Sequence, residues 1–177
     1  MNFTQDWFSK NIPHWKEILC SRFNDKKVVD YMEIGSYEGR SSIFIGTNLP
    51  NAKITCVDIW RNKELEDRFD ANLKEANINV RKLKGASYTV LKTINEKFDI
   101  IYIDGGHTFQ EAMTDLCLCY PLLRTGGILI FDDYIHPKYN CGKAMDVFMQ
   151  YWDGYKFIRK THQIILEKEK EPTYSFK

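Results

Sequence analysis

Long hydrophobic runs are missing from this chain. No apolar stretch approaches the roughly 20 residues that a bilayer-spanning helix needs, so no membrane partner is expected. The opening Met1-Asn2-Phe3-Thr4-Gln5-Asp6 has no cationic segment leading into an apolar one, so no secretory leader is expected either. Excess charge is missing too: 25 Lys and Arg face 24 Asp and Glu, a formal charge of +1. That balance gives no indication of nucleic acid as a partner. Cysteine is sparse and unpatterned. The five thiols (Cys20, Cys56, Cys117, Cys119, Cys141) are odd in number and lack zinc spacing. Reduced thiols in a cytoplasmic compartment are the expectation. Repeats, linkers and low-complexity runs are also absent, so the 177 residues are expected to form one domain.

What is present is a packed alternation of elements. Hydrophobic residues make up 44% and aromatics 14%, which fits a globular core rather than disorder. Residues 1–27 form an aromatic-rich helical segment in which Pro13 is expected to separate two short pieces. That segment reads as a cover over the sheet, with a lid or a homodimer contact as the alternative. Strands are expected over 28–34, 53–59, 80–83, 98–103 and 128–131, with helices between and after them. Phe109, Ala112, Met113, Leu116 and Tyr120 recur at i, i+3, i+4, i+7 and i+11, one apolar helix face. Two closing strands, 155–160 and 163–168, read as a hairpin, and 169–177 as a frayed tail. The fold class is α/β: a doubly wound, mostly parallel seven-stranded sheet with one antiparallel edge strand, its core spanning 28–168.

Two of these strands end abruptly in acid. Ile101-Tyr102-Ile103 runs into Asp104-Gly105-Gly106-His107, and Ile128-Leu129-Ile130-Phe131 runs into Asp132-Asp133. Residues just past the carboxyl ends of parallel strands line the ligand crevice. Asp104, Asp132 and Asp133 are therefore expected at one mouth, where their mutual repulsion calls for a hard cation such as Mg²⁺. His107 beside them is the expected proton acceptor. His136 is the second candidate, and His14 and His162 read as structural or exposed.

The first strand ends in Glu33 and enters a loop containing Gly35, Ser36 and Gly39 before a helix that begins near Ser41. The glycines allow a tight turn and close approach of a ligand to the main chain. G-x-G-x-x-G is absent, because Tyr37 stands where its second glycine would be, so a dinucleotide is disfavoured. Glu33 suits an ammonium group, and Asp58, ending the second strand, suits the two hydroxyls of a ribose. An adenosine with a cationic amino-acid tail satisfies all of these.

The stretch Tyr31-Met32-Glu33-Ile34-Gly35-Ser36-Tyr37-Glu38-Gly39-Arg40-Ser41-Ser42 resembles motif I of the class I S-adenosylmethionine-dependent methyltransferases, in the version of the catechol O-methyltransferase group. Asp104-Gly105-Gly106-His107-Thr108 together with Gly126-Gly127 through Asp132-Asp133-Tyr134 resembles the metal-dependent sugar and macrolide O-methyltransferases. The resemblance covers residues 28–168 and implies a Rossmann-like methyltransferase fold. It also implies that Glu33, Gly35, Ser36, Gly39 and Ser41 hold the methionine part of S-adenosylmethionine, with Asp104 at the same cofactor. Asp58 would bind the ribose, Ile59 and Trp60 would flank the adenine, and Ala86 and Ser87 would lie at its edge. Asp104, Asp132 and Asp133 match the magnesium ligands. Two positions depart from the catechol pattern, which has asparagine where Asp133 stands and a lysine base where His107 stands. The implied activity is metal-dependent O-methyl transfer to a hydroxyl of a small-molecule or glycan acceptor. A metal-independent methyltransferase and a cofactor-binding protein without turnover are the alternatives.

Overall fold

The computed structural model describes residues 1–173. Its centre is a seven-stranded sheet in the order β3-β2-β1-β4-β5-β7-β6. The strands are β1 (Val29–Ile34), β2 (Ala52–Asp58), β3 (Val80–Lys84), β4 (Phe98–Ile103), β5 (Leu123–Phe131), β6 (Tyr155–Lys160) and β7 (Ile164–Lys168). The first five pair in parallel, and β7 runs antiparallel to both of its neighbours. The expected closing hairpin is present. Its reversed strand lies one place in from the edge, between β5 and β6, and β6 is outermost.

Helices α1 (Arg40–Asn48), α2 (Lys63–Ala76), α3 (Ser87–Val90), α4 (Phe109–Cys119) and α5 (Cys141–Tyr151) make the crossovers and flank the sheet. Strand periodicity divides the core in two. Ile100 and Tyr102 of β4 pack on one face with Ile43, Phe44, Trp15 and Leu19. Ile101 and Ile103 pack on the other with Leu116, Ala144, Met145 and Phe148. Both faces of β4 are thus covered, which is why the strand reads from Ile100 to Ile103 as an unbroken apolar run rather than an alternation. Helix α4 starts at a capping box, in which Thr108 and Glu111 each bond the other's backbone N–H, so Gly105-Gly106-His107 becomes the hinge between strand and helix.

The N-terminal segment corrects one expectation. Pro13 does not divide it. Residues Ser9–Asn11, Ile12–Trp15, Lys16–Cys20 and Ser21–Phe23 form consecutive 3-10, α, π and α turns in one continuous helical run. Pro13 sits in the first α turn, where its missing N–H costs nothing. Phe8, Trp15, Leu19 and Phe23 are buried by this run, which covers the sheet as expected. Strand β5 also starts earlier than its apolar run suggests, because the Gly126–Gly127 pair is accommodated inside it at an irregular pairing with β4. The tail is held as far as Thr173, through Lys168–Glu171 and Thr173–Asp153 bonds. Residues 174–177, the rest of the expected frayed tail, lie outside the described residues.

The strand order turns around between β1 and β4, the point at which a doubly wound sheet opens a crevice at its carboxyl ends. Register aligns the ends: Ile34 pairs with Val57 and Ile103, and Ile103 pairs with Phe131. Gly35, Asp58, Asp104 and Asp132, one residue further or at the end itself, therefore share one edge.

Candidate active site

The glycine loop is welded to β4. Gly35 has φ +88°, and a Cβ there would lie 1.9 Å from the Asp104 carbonyl oxygen, so no side chain fits. Tyr37 (φ 46°) and Gly39 (φ 83°) complete the turn, and Gly39 caps α1. Glu33 is buried, and its carboxylate accepts hydroxyl hydrogen bonds from Tyr31 (2.7 Å), Ser41 (2.7 Å) and Ser42 (2.5 Å). Burial pushes its pKa up against those three donors. Beside it, the buried Ser36 hydroxyl also opposes that rise. Glu33 thus spends its carboxylate on the fold.

Asp58 braces the same loop. One oxygen accepts the Tyr37 N–H at 2.8 Å and the other the Trp60 N–H at 2.7 Å. Ile59 stands open at 43% exposure, whereas Trp60 is only 1% exposed. The Trp60 ring packs on Phe69, and its indole N–H donates to the Tyr37 carbonyl at 3.1 Å. Of the pair implied to flank an adenine, only Ile59 faces outward. Ala86 and Ser87 are half-buried at the start of α3, where the Gly85 N–H is tied to the Asp58 carbonyl at 2.9 Å.

The strand-end acids converge as expected. Asp104, His107, Asp132 and Asp133, with Gly105, Gly106 and Cys141, line a cavity with room for about one water-sized sphere, about 10 Å³. Ligand atoms of Asp104, His107 and Asp133 all lie within 4.8 Å of one another. His107 Nε2 is 2.8 Å from Asp133 Oδ2, and the His107 ring packs on Tyr139 at 4.2 Å. Asp132 is turned further in: Oδ2 accepts from Tyr102 Oη (2.5 Å) and Gln163 Nε2 (3.0 Å), and Oδ1 from the Asp133 N–H (2.8 Å). Tyr102 Oη also lies 2.9 Å from Asp104 Oδ2, so a single phenol proton serves two acids. A larger open groove between α2 and β3, lined by Asp70, Leu73, Asn77 and Lys82, includes none of these groups.

A family model described as a methyltransferase domain matches residues 32–134. The chain belongs to this methyltransferase family. It is 32% identical over 129 residues to the uncharacterized protein R132 of Acanthamoeba polyphaga mimivirus, covering 68% of this chain and 58% of that one. The methyltransferase chain thus spans a little over half the length of that curated relative. The solved structure of the O-methyltransferase NovP matches with a TM-score of 0.77 at 17% identity, covering 91% of this chain and 80% of that one. The O-methyltransferase TomG from Streptomyces achromogenes, solved in complex with SAM, matches at 0.68 and 16% identity, over 88% and 79%. The fold is that of the class I methyltransferases.

Electrostatics separate the acids of this methyltransferase. Asp104 has its pKa raised well above the usual carboxylate range, first by burial and then by repulsion from Asp132 and Asp133. Asp133 goes the other way. Burial would raise it, but the His107 hydrogen bond and the charges of His107, His136 and Lys10 outweigh that and hold it low. The cluster therefore carries more negative charge than its own donors neutralise, and its donors are carboxylate oxygens with one imidazole. That chemistry fits a hard divalent cation.

Sequence reasoning missed several residues of this neighbourhood. Buried Glu38 accepts both the N–H (2.8 Å) and the hydroxyl (2.6 Å) of Thr4, which pins the N-terminal residues to the glycine loop. Asn72 bonds Asn2 and the Glu38 carbonyl, and Trp7 packs on Tyr37 with ring centroids 5.2 Å apart. Tyr102 and Gln163 were read only as strand residues. The one available signal was Tyr102's position two residues before Asp104, on the same strand face.

Proposed function

We propose that this chain is an S-adenosylmethionine-dependent O-methyltransferase. It uses a divalent cation, Mg²⁺ or a similar ion, and acts on a hydroxyl of a small-molecule or glycan acceptor. The observation that carries the reading is the water-sized cavity bordered by Asp104, His107, Asp132 and Asp133 next to the glycine loop. The likeness to NovP and TomG, both O-methyltransferases, supports the reaction type, and the SAM bound by TomG supports the cofactor.

The residues divide the work. Gly35, packed against the Asp104 carbonyl, and Gly39, packed against Phe69, set the turn of the loop that would meet the cofactor's methionine end, with Ser36 beside it. Asp58 holds Tyr37 and Trp60 in place and faces the ribose, with Ile59, Ala86 and Ser87 around the adenine. Glu33 and Ser41 act from beneath, by fixing the loop. Asp104, Asp132 and Asp133 would hold the cation, which supplies orientation of the acceptor hydroxyl and a lowered pKa for it. His107, oriented by Asp133, takes the hydroxyl proton as the oxygen forms its bond to the methyl carbon and the carbon–sulfur bond breaks.

A second reading of His107 is favoured by its ligand atom lying within 4.8 Å of those of Asp104 and Asp133: it is a cation ligand rather than the base. His107→Ala separates the two. Turnover lost with Mn²⁺ affinity unchanged assigns the base, and a Mn²⁺ affinity reduced about tenfold or more assigns a ligand. For the reaction itself, calorimetry with S-adenosylhomocysteine should show binding, and its absence overturns the methyltransferase reading. A hydroxylated-metabolite and glycan screen should give methyl transfer that EDTA abolishes and Mg²⁺ restores. Transfer indifferent to EDTA would mean the acids serve shape alone.

Among the described residues no helix is long and apolar enough to cross a membrane. The five thiols are unpaired, which supports a reducing, cytoplasm-like compartment. The aromatics expected at a homodimer contact are mostly spent on the chain's own core, with Trp7 left open at 62% exposure.

A further inference from the structure

Gln163 is fully buried in the tight turn that precedes β7, and three side chains meet its amide. Its Oε1 lies 3.0 Å from Trp15 Nε1 and 2.9 Å from His14 Nε2, and its Nε2 lies 3.0 Å from Asp132 Oδ2. The orientation of the amide follows from chemistry alone. An indole N–H can only donate, so the amide oxygen must face Trp15. The amide nitrogen must then face Asp132, and the carboxylate there can only accept. The same logic puts a proton on His14 Nε2, because the oxygen it meets has none to give.

We propose that Gln163 is a positioning residue of the active site, which fixes the rotation of the Asp132 carboxylate and ties the N-terminal helical segment into the cation cluster. The proposal rests on the cation reading above. Asp132 Oδ2 has two donors, Tyr102 and Gln163. Tyr102 has one proton and two acids to serve, so it cannot hold Asp132 alone. The Asp133 N–H holds the other oxygen, Oδ1. On Oδ2, Gln163 supplies the second, independent side-chain tether, and it is itself held from the far side by Trp15, whose ring packs edge-on against Tyr102 at 4.9 Å. The two side-chain tethers of Asp132 are thus braced against each other. Few side chains could replace the amide. Glutamate would set an oxygen against an oxygen, and a hydrocarbon would leave Trp15, His14 and Asp132 each short of a partner.

The test measures Mn²⁺ binding by the loss of free-ion signal in electron paramagnetic resonance, alongside S-adenosylhomocysteine affinity by calorimetry. Gln163→Met keeps the volume and removes the amide. It should weaken Mn²⁺ binding by about 10- to 100-fold, the range usual for losing an outer-layer partner of a metal ligand, and leave S-adenosylhomocysteine affinity within about threefold. Trp15→Phe keeps the ring and removes only the N–H, so a smaller loss in the same direction is expected. It also serves as the test if Gln163→Met does not fold. Wild-type Mn²⁺ affinity in the folded variants overturns the positioning role and leaves the cation reading standing. Equal losses of Mn²⁺ and S-adenosylhomocysteine affinity would make Gln163 a general structural residue. A wild-type protein that does not bind Mn²⁺ overturns both this role and the cation reading.

Discussion

Glu33 and Asp104 sit on adjacent strands, at the same end of the sheet, and solve the same problem in opposite ways. Each is a carboxylate removed from much of its water, which disfavours the charged form. Glu33 is surrounded by the hydroxyls of Tyr31, Ser41 and Ser42, all from its own strand and the following helix, so its charge is met inside the fold. Asp104 has a share of one phenol and two further acids close by, so its charge is met by nothing the described chain supplies in sufficient number. The first acid belongs to the scaffold. The second is the acid whose charge the proposed cation would balance.

Glu33→Ala is expected to have the largest effect on stability. It strands three buried hydroxyls and should cost about 3 kcal/mol or more, read as a lower midpoint in urea unfolding. An unchanged midpoint would make the loop independent of Glu33 and erase the contrast. Saturating Mg²⁺ acts on the other side of the comparison. At about 100 times its dissociation constant it should add about 2.7 kcal/mol, seen as a higher Tm in wild type and no rise in Asp104→Asn. A rise of equal size in that variant would move the cation elsewhere.

The smallest effect concerns a third acid, Asp115 on α4, which is 1% exposed and has only Ser87 nearby to ease its charge. Burial pushes its pKa up to about 6 from 3.8. The folded state therefore holds this proton more tightly than the unfolded state, and stability falls as pH rises from about 4 through 6. Asp115→Asn should remove that dependence and stabilise the protein at pH 7 by about 1 kcal/mol, a fraction of the raised-pKa penalty because the buried amide keeps part of it. At pH 4 the gain should vanish. A gain equal at both pH values would show that folding does not raise the Asp115 pKa.

Much of the fold was legible because it is written locally. The strand expected over 98–103 matched β4, and the apolar face of Phe109, Ala112, Met113 and Leu116 matched α4. The convergence of Asp104, Asp132 and Asp133 followed from a topological rule about strand ends, which needs only the order of elements. What escaped was set by pairings across long separations. Gln163 meets His14 across 149 positions, and Glu38 meets Thr4 across 34, with no local rhythm to announce either. Trp60 misled for a related reason. The resemblance implied a place beside the adenine, but the indole N–H found the Tyr37 carbonyl and the ring found Phe69, so the side chain went inward. Pro13 misled because a proline in a first helical turn looks, in one dimension, the same as a proline between two helices.

The bond from His14 to Gln163 also orders events in time. A ribosome makes residues 14 and 15 long before residue 163, and the strands that carry Asp104 and Asp132 are complete before the closing hairpin exists. Until that hairpin folds back, Asp132 lacks one of its three hydrogen bonds and the helical run over Ser9–Phe23 lacks its Gln163 link to the acids. The cluster can reach its final geometry only once this contact, 149 positions apart in the chain, has closed. A nascent chain would therefore complete the hydrogen bonds of Asp132 only once the segment before β7 is in place.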